Sequence, residues 1–309
     1  MKVCVTSPYP LSDLKGNSVT TERIVTILRE AGIDARGAHG FDGLSADALI
    51  SLHAKKGAQA AADYRKAHPE GKLIVLLTGT DIYDDFPKGL GLESLEAADY
   101  IAVTHQESIP MIPRQFSEKV VIVPSSLTMP TIKASHRIPP FAISVVGHLR
   151  PVKRSFLTIE AVAKNPHWDV EVWQLGEALD EESEATARAW EGKDSRYRWF
   201  GGLPREEALQ KCAESSLTVN SSLLEGGANA VLEAMTMELP ILASEIPGNI
   251  GLLGKDYPGY FTGADIESKL GDILAHPEQL KDWIECANHR LPIFSRERER
   301  EAWVKLLPR

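Results

Sequence analysis

Short apolar runs alternate with helical stretches along nearly the whole chain, and no other feature of the sequence restricts the fold as much. The runs fall at residues 3–6, 48–52, 73–77, 100–103 and 120–123, then at 142–146, 170–173, 198–200, 217–220 and 241–244. Between them, residues 19–31 carry Ile24, Val25, Ile27 and Leu28 at helical spacing, and Gly32 supplies the stop. Helical patterns also cover 57–67, 205–214, 230–237 and 295–307. Strands that alternate with helices form parallel sheets covered on both faces, and such strands are apolar throughout. A Pro-containing stretch, 129–140, interrupts the pattern, and the alternation restarts after it. The expectation is two doubly wound α/β domains, residues 1–135 and 136–290, followed by a terminal helical segment, 291–309, that crosses back to the first domain. No repeat at solenoid spacing is visible.

Bulk properties exclude several classes. A net charge of −9 works against a nucleic-acid partner, since a polyanion would be repelled. It also means that an anionic substrate needs a local cationic pocket. No apolar run approaches the ~20 residues that span a bilayer, so no membrane association is expected. Residues 1–5 enter a strand directly, without the pattern of a signal peptide. Cys4, Cys212 and Cys286 are far apart and form no CxxC, which fits packing roles in a reducing cytoplasm.

Three segments carry chemistry. The first is Ser221-Ser222-Leu223-Leu224-Glu225-Gly226-Gly227-Ala228-Asn229-Ala230-Val231-Leu232-Glu233, between a strand and a helix. Paired glycines let the backbone approach a ligand. A helix starting near Asn229, its expected N-cap, presents free N–H groups to a diphosphate. Glu225 and Glu233 are placed to accept hydrogen bonds from hydroxyls at two ends of one ligand. The same spacing also fits a plain strand-to-helix turn with a surface glutamate at each end. The second segment is Gly147-His148-Leu149-Arg150-Pro151-Val152-Lys153-Arg154, at the end of the first strand after the linker. The third is Lys15-Gly16-Asn17-Ser18-Val19-Thr20-Thr21-Glu22-Arg23, which reads as an anion-facing helix start or as an ordinary helix capped by Asn17 or Ser18. Asp81, Asp84 and Asp85 form a carboxylate cluster, but a hard-metal site needs more ligands than this spacing guarantees.

The pair Glu225 and Glu233, seven residues apart, resembles the E-x7-E motif of retaining glycosyltransferases of the GT4 type. Gly147, Leu149 and Lys153 resemble that family's phosphate loop, G-R-L-x-x-x-K, with His148 in place of its arginine. The resemblance implies a GT-B fold: two facing Rossmann-like domains with a cleft between them. It implies a nucleotide-sugar donor, no cofactor and no metal; the narrower resemblance below makes that donor a UDP-sugar. Glu225 would contact the donor sugar and Glu233 the ribose hydroxyls. Gly226 and Gly227 would lie near the sugar and diphosphate, with Ala228 and Asn229 beside them. Lys153 would neutralise the leaving diphosphate, and Arg150 would stand in for the missing guanidinium. The base would be read near Gly202-Leu203.

Further motifs resemble a narrower group, the selenosugar synthases of selenoneine biosynthesis. They are Gly16-Asn17 with Val19-Thr20, Leu52-His53-Ala54-Lys55-Lys56, Leu77-Thr78-Gly79-Thr80-Asp81-Ile82-Tyr83 and Gly147-His148-Leu149-Arg150. Arg196-Tyr197-Arg198-Trp199, Ile246-Pro247-Gly248, Gly251-Leu252-Leu253-Gly254 and Asp256-Tyr257-Pro258-Gly259-Tyr260-Phe261 join them. This resemblance implies selenophosphate as acceptor, UDP-N-acetylglucosamine as donor and a 1-seleno-sugar as product. The expected acceptor-side residues are Lys15, Gly16, Asn17, Thr20, Arg23, His53, Lys55, Thr78, Gly79 and Thr80. Two other readings stay open: a GT4-type enzyme with a hydroxyl acceptor, and a non-catalytic nucleotide-sugar-binding protein.

Overall fold

The structure, a computed structural model, describes residues 1–13, 16–127, 132–135, 141–263 and 265–308. Lys15 and most of the 129–140 stretch lie outside the described residues. Two compact units emerge. Unit 1 comprises Met1–Ser126, Glu225–Gly227 and Ile293–Arg309; unit 2 comprises Leu127–Leu224 and Ala228–Pro292. The division precedes the expected boundary at 135. The reason is local: Ala134 N donates to Met237 O and Ser135 N to Ala213 O, so these residues pack with unit 2.

Unit 1 holds β1 (Lys2–Ser7), α1 (Gly16–Glu30), β2 (Asp34–His39), β3 (Ala48–Leu52), α2 (Ala58–Ala67), β4 (Lys72–Leu76), α3 (Leu92–Ala97), β5 (Tyr100–Val103) and β6 (Val120–Ile122). The strands form one sheet in the order β2-β1-β3-β4-β5-β6, and every pairing is parallel. The two-residue period of a strand sorts its side chains between two cores. Val3, Val5, Ala48, Ile50, Leu52, Ile74, Leu76 and Ala102 share one core with Ile24, Ile27 and Leu28 of α1. Cys4, Leu49 and Leu73 point the other way, onto Ala61 and Tyr64 of α2. Both faces are covered, which is why these strands read as unbroken apolar runs.

β2 escapes the apolar-run reading because it is an edge strand of sequence Asp-Ala-Arg-Gly-Ala-His, paired only with β1. Its Arg36 turns outward and pairs with Asp42 at 2.8 Å. The expectation that Asn17 or Ser18 caps α1 does not hold. The helix already begins at Gly16, and Ser18 instead donates its hydroxyl to Pro10 O at 3.0 Å.

Unit 2 repeats the plan with β7 (Phe141–Val146), α4 (Leu157–Ala163), β8 (Val170–Leu175), α5 (Glu181–Lys193), β9 (Tyr197–Trp199), α6 (Arg205–Ala213), β10 (Leu217–Asn220), α7 (Asn229–Thr236), β11 (Ile241–Ser244), α8 (Pro247–Leu253), β12 (Tyr260–Phe261), α9 (Ile266–Ala275) and α10 (Leu280–Asn288). Its strand order is β12-β11-β10-β7-β8-β9, again parallel throughout. Ile143, Val145, Val172, Leu217, Val219 and Ile241 are buried in its core.

The last helix, α11 (Arg296–Leu306), is part of unit 1. Trp303, Leu306 and Leu307 enter the same core as α1. Glu299, 1% exposed, is the polar centre of this contact. It accepts from Ser126 N at 2.6 Å, Ser126 Oγ at 2.5 Å, Arg23 Nε at 3.3 Å and Trp303 Nε1 at 3.2 Å.

Strand order reverses direction at one place in each sheet, between β1 and β3 in unit 1 and between β7 and β10 in unit 2. In open α/β sheets, ligands bind beyond the carboxyl ends of the strands at this switch.

Candidate functional site

Both motifs expected on the donor side leave the sheet of unit 2 at its switch point. β7 ends at Val146 and runs into Gly147–Arg154; β10 ends at Asn220 and runs into the Ser221–Ala228 turn. The two loops are laced together. Ser221 Oγ donates to Lys153 O at 2.8 Å and to Arg154 O at 3.0 Å. Arg154 Nε donates back to Ser221 O at 2.7 Å, and Leu223 N donates to Val152 O at 2.8 Å. Arg154 holds a left-handed backbone, φ 46°, which these bonds stabilise. Burial pushes its guanidinium below the ordinary arginine range.

Gly147 has φ 145°, and the Lys153 stem covers it, with Cε 3.7 Å from where a Cβ on Gly147 would stand. Arg150 is exposed, while Leu149 is fully buried and anchors the loop. His148 is half-buried, and its Nδ1 is buried with no hydrogen-bond partner among the described residues.

The loop rests on the end of β8, which the sequence reading did not single out. Gln174, fully buried, donates to Val145 O at 3.2 Å and Gly147 O at 3.4 Å. A buried amide in a strand that is apolar apart from Glu171 was the available signal. A small cavity of ≈ 10 Å³ behind the loop is lined by Gly147, Lys153, Gln174, Asn220 and Ser221, among others. At Gly176, φ 153°, an added Cβ would stand 2.0 Å from Gly147 O. Gly176→Ala is therefore expected to displace the Gly147–Arg154 loop and cost about 1–3 kcal/mol through overpacking. A lowered thermal midpoint together with weakened UDP binding would bear this out. Unchanged binding would show that the loop tolerates the shift.

The helix after β10 starts where expected, but its cap differs. Asn229 is the first helical residue, and the N-cap position falls to Ala228, whose methyl group offers no acceptor. The first N–H groups of α7 therefore receive no side-chain cap from this position, as suits an anion-binding helix start. Gly227 has φ 143°, a conformation that glycine adopts readily. Glu225, Gly226 and Gly227, on the turn before α7, group with unit 1. Glu233 lies within α7, its side chain 14% exposed, and pairs with Arg205 Nη2 at 2.8 Å. Burial raises the Glu233 pKa, and Arg205 opposes that rise. Arg205 was not foreseen; nothing in sequence spacing joins it to Glu233. Leu203 is half-buried on the connection from β9 to α6.

In unit 1, the expected acceptor-side residues divide. His53, Lys55, Thr78 and Thr80 meet at the carboxyl ends of β3 and β4. Asp81, fully buried, accepts from Ala54 N at 2.9 Å, Thr78 N at 2.7 Å, Thr78 Oγ1 at 3.1 Å and Ile82 N at 3.0 Å. It thereby shapes the Thr78-Gly79-Thr80 turn. Burial pushes the Asp81 pKa up to about 7, against the pull of those bonds. Lys55 Nζ pairs with Asp85 at 2.9 Å.

His53 is not a direct ligand contact, because it is 1% exposed. It adopts φ 70°, a strained backbone for a non-glycine residue. Burial, helped by the Lys56 charge, lowers its pKa to about 4, so it is neutral near pH 7 and its 3.6 Å contact with Asp81 is no ion pair. Lys56 N donates to Nδ1 at 3.4 Å, which leaves Nε2–H to donate to Thr80 Oγ1 at 3.3 Å. The exposed Thr80 hydroxyl then has its own proton to offer outward.

Arg23 is not open to an acceptor either. Its side chain is 8% exposed and committed to Glu299 and, at 3.1 Å, to Ser125 Oγ. Gly16, Asn17 and Thr20 lie in the first turns of α1. Among the described residues no cluster of His, Cys, Asp or Glu is arranged to hold a metal ion, and no helix is long and apolar enough to cross a membrane.

Two parallel-sheet Rossmann-like units define a GT-B glycosyltransferase fold, and solved structures of that fold match along the chain. Alr3699/HepE from Anabaena, solved with UDP and glucose, is similar at TM-score 0.74 and 15% identity, over 99% of this chain and 98% of that one. Sucrose-phosphate synthase from Thermosynechococcus elongatus is similar at TM-score 0.77 and 13% identity, over 99% and 98%. WaaG, a glycosyltransferase involved in lipopolysaccharide biosynthesis, is similar at TM-score 0.68 and 15% identity, over 99% of each chain. The family model "Glycosyl transferases group 1" matches residues 129–290, just over half of the sequence. The chain belongs to that family of glycosyltransferases. "Glycosyltransferase 1 domain-containing protein 1" of Xenopus tropicalis is 40% identical over 57 residues, which are 18% of this chain and 16% of that protein.

Proposed function

We propose that the protein transfers a sugar from a UDP-sugar, UDP-N-acetylglucosamine by resemblance, to the selenium of selenophosphate. The observation that carries the donor half is the convergence of the Gly147–Lys153 loop and the Glu225–Glu233 segment on the β7/β10 switch point. Alr3699/HepE has been solved with UDP-glucose, which supports a UDP-sugar donor here. The acceptor half rests on the motifs shared along the chain with selenosugar synthases.

In this reading the first N–H groups of α7, Lys153 and Arg150 receive the diphosphate. Glu233 accepts from the ribose diol and Glu225 orients the sugar. Selenium forms the bond to the anomeric carbon as the bond to the diphosphate oxygen breaks, and UDP departs with that electron pair; water then cleaves the Se–P bond, releasing inorganic phosphate and the 1-seleno-sugar. Selenium is polarizable and nucleophilic, so little general-base help is needed. Catalysis comes from charge stabilisation at the diphosphate and from alignment of the two substrates, with retention at the anomeric carbon and no metal. The Thr80 hydroxyl, Lys55 and the amides of Gly79 and Thr80 are the acceptor-side donors, the Thr78 amide being held by Asp81.

The test is an incubation of purified protein with UDP-N-acetylglucosamine and selenophosphate, followed by mass spectrometry. The expected result is UDP release that depends on selenophosphate, with a selenium-linked sugar as product. UDP release with hydroxyl acceptors alone would move the protein to ordinary glycosyl transfer. No turnover with any acceptor would leave a binding protein.

A further inference from the structure

Arg205 stands where its own helix gains nothing from it. It is the first residue of α6, and a cation in the first turn opposes the helix macrodipole, which favours residues such as the adjacent Glu206 and Glu207. Its side chain is 45% exposed, yet it reaches across to α7 to bond Glu233 Oε1 at 2.8 Å. Among the described residues, this is the side-chain hydrogen bond that Glu233 makes.

We propose that Arg205 is a positioning residue of the donor pocket, pairing with the Glu233 carboxylate so that it stands charged and aimed for the ribose diol. The proposal rests on the assignment of Glu233 to the ribose.

The surroundings of Glu233 make Arg205 decisive. α7 packs against α6, α8, α10, β10 and β11. α8, β10 and β11 carry no titratable side chain. On α6, Cys212 is a buried thiol pushed up to about 11, and so neutral near pH 7. α10 contributes Lys281, Asp282, Glu285 and Cys286, and α6 also has Glu206, Glu207 and Lys211. Of these, Arg205 is the cation bonded to Glu233, at 2.8 Å, and its charge favours the carboxylate. Burial favours the neutral carboxyl and the guanidinium favours the carboxylate. A neutral carboxyl gives up acceptor capacity to its own proton and accepts more weakly from a diol. Loss of Arg205 therefore turns ribose recognition into a pH-dependent event.

Removing a cation moves the Glu233 titration to higher pH. UDP affinity then falls off at a higher pH in Arg205→Met than in the wild type. Calorimetric titration of UDP into the full chain between about pH 5 and 8 reads this, with Arg205→Met, Arg205→Lys, Glu233→Gln and the double variant Arg205→Met/Glu233→Gln. The expected results are a fall-off displaced to higher pH in Arg205→Met and a wild-type-like profile in Arg205→Lys. Weak, flat binding is expected in Glu233→Gln, with no further loss in the double variant. Thermal unfolding confirms that each variant is folded; a half-exposed arginine leaves the core intact. An Arg205→Met profile that superimposes on the wild type overturns the proposal. So does an Arg205→Met loss of equal size in the Glu233→Gln background, which would mean that Arg205 meets the nucleotide directly. If Glu233→Gln leaves UDP affinity unchanged, the ribose assignment itself falls, an outcome distinct from either.

Discussion

Replacing Lys153 by alanine is expected to lower the rate constant of sugar transfer by about 10²–10³-fold, the loss that follows removal of one charge-stabilising donor from an active site. Three features locate the effect in the side chain. The backbone of the loop is held independently, by Ser221 Oγ at Lys153 O and by Leu223 N at Val152 O, so the fold survives the change. The lysine stem lies over Gly147, the first loop residue beyond β7. Of the other cations of the loop, Arg154 is bonded to Ser221 O and Arg150 is exposed. Steady-state kinetics with UDP-N-acetylglucosamine measure the effect. A fall mainly in kcat places Lys153 on the leaving diphosphate in the transition state. A fall confined to KM would make it a ground-state binder, and no change would remove it from the chemistry. Lys153→Arg should recover only part of the rate, since a planar fork does not reproduce a point charge.

The second large effect is on stability. Glu299→Ala is expected to destabilise unit 1 by about 3–5 kcal/mol, the scale for breaking a buried charge pair from one side. Arg23, 8% exposed, would lose its carboxylate partner, and Ser126 N and Trp303 Nε1 would lose their acceptor. The urea midpoint should fall with the slope of the transition unchanged. A shift under about 1 kcal/mol would show that water replaces the carboxylate, the cost then being that of a surface change. Glu299→Gln keeps the shape but not the charge, and its shift should lie between the two.

Much of the fold was legible because its strands are buried on both faces. Runs such as 48–52 and 73–77 cannot be anything but interior strands once helical stretches separate them. β2 was missed because an edge strand needs no apolar run, and β12 because two residues, Tyr260 and Phe261, carry no pattern. The loops proposed to carry the chemistry were legible through glycine. Gly147 and Gly227 hold φ of 145° and 143°, so local backbone need and sequence motif coincide there. What stayed hidden was contact between distant positions. Arg23 looked like a cation at an anion-binding helix start, yet its partner Glu299 lies 276 residues away in the chain. His53 looked like a ligand contact, yet the left-handed turn at the end of β3 buries it and leaves Thr80 as the exposed group. Arg205 carried no sequence signal, since its role depends on the packing of α6 beside α7. Gln174 did carry one, a lone amide in a buried strand.

The central claim is that the β7/β10 switch of unit 2 binds UDP, with the ribose on Glu233. Calorimetric titration of UDP into the wild type and Glu233→Ala tests it most directly. Each hydrogen bond to a charged group contributes about 1.5–3 kcal/mol, so the wild type should bind and the variant should bind about 10- to 100-fold more weakly. Equal affinity in the two proteins, or no binding by the wild type, would contradict the account.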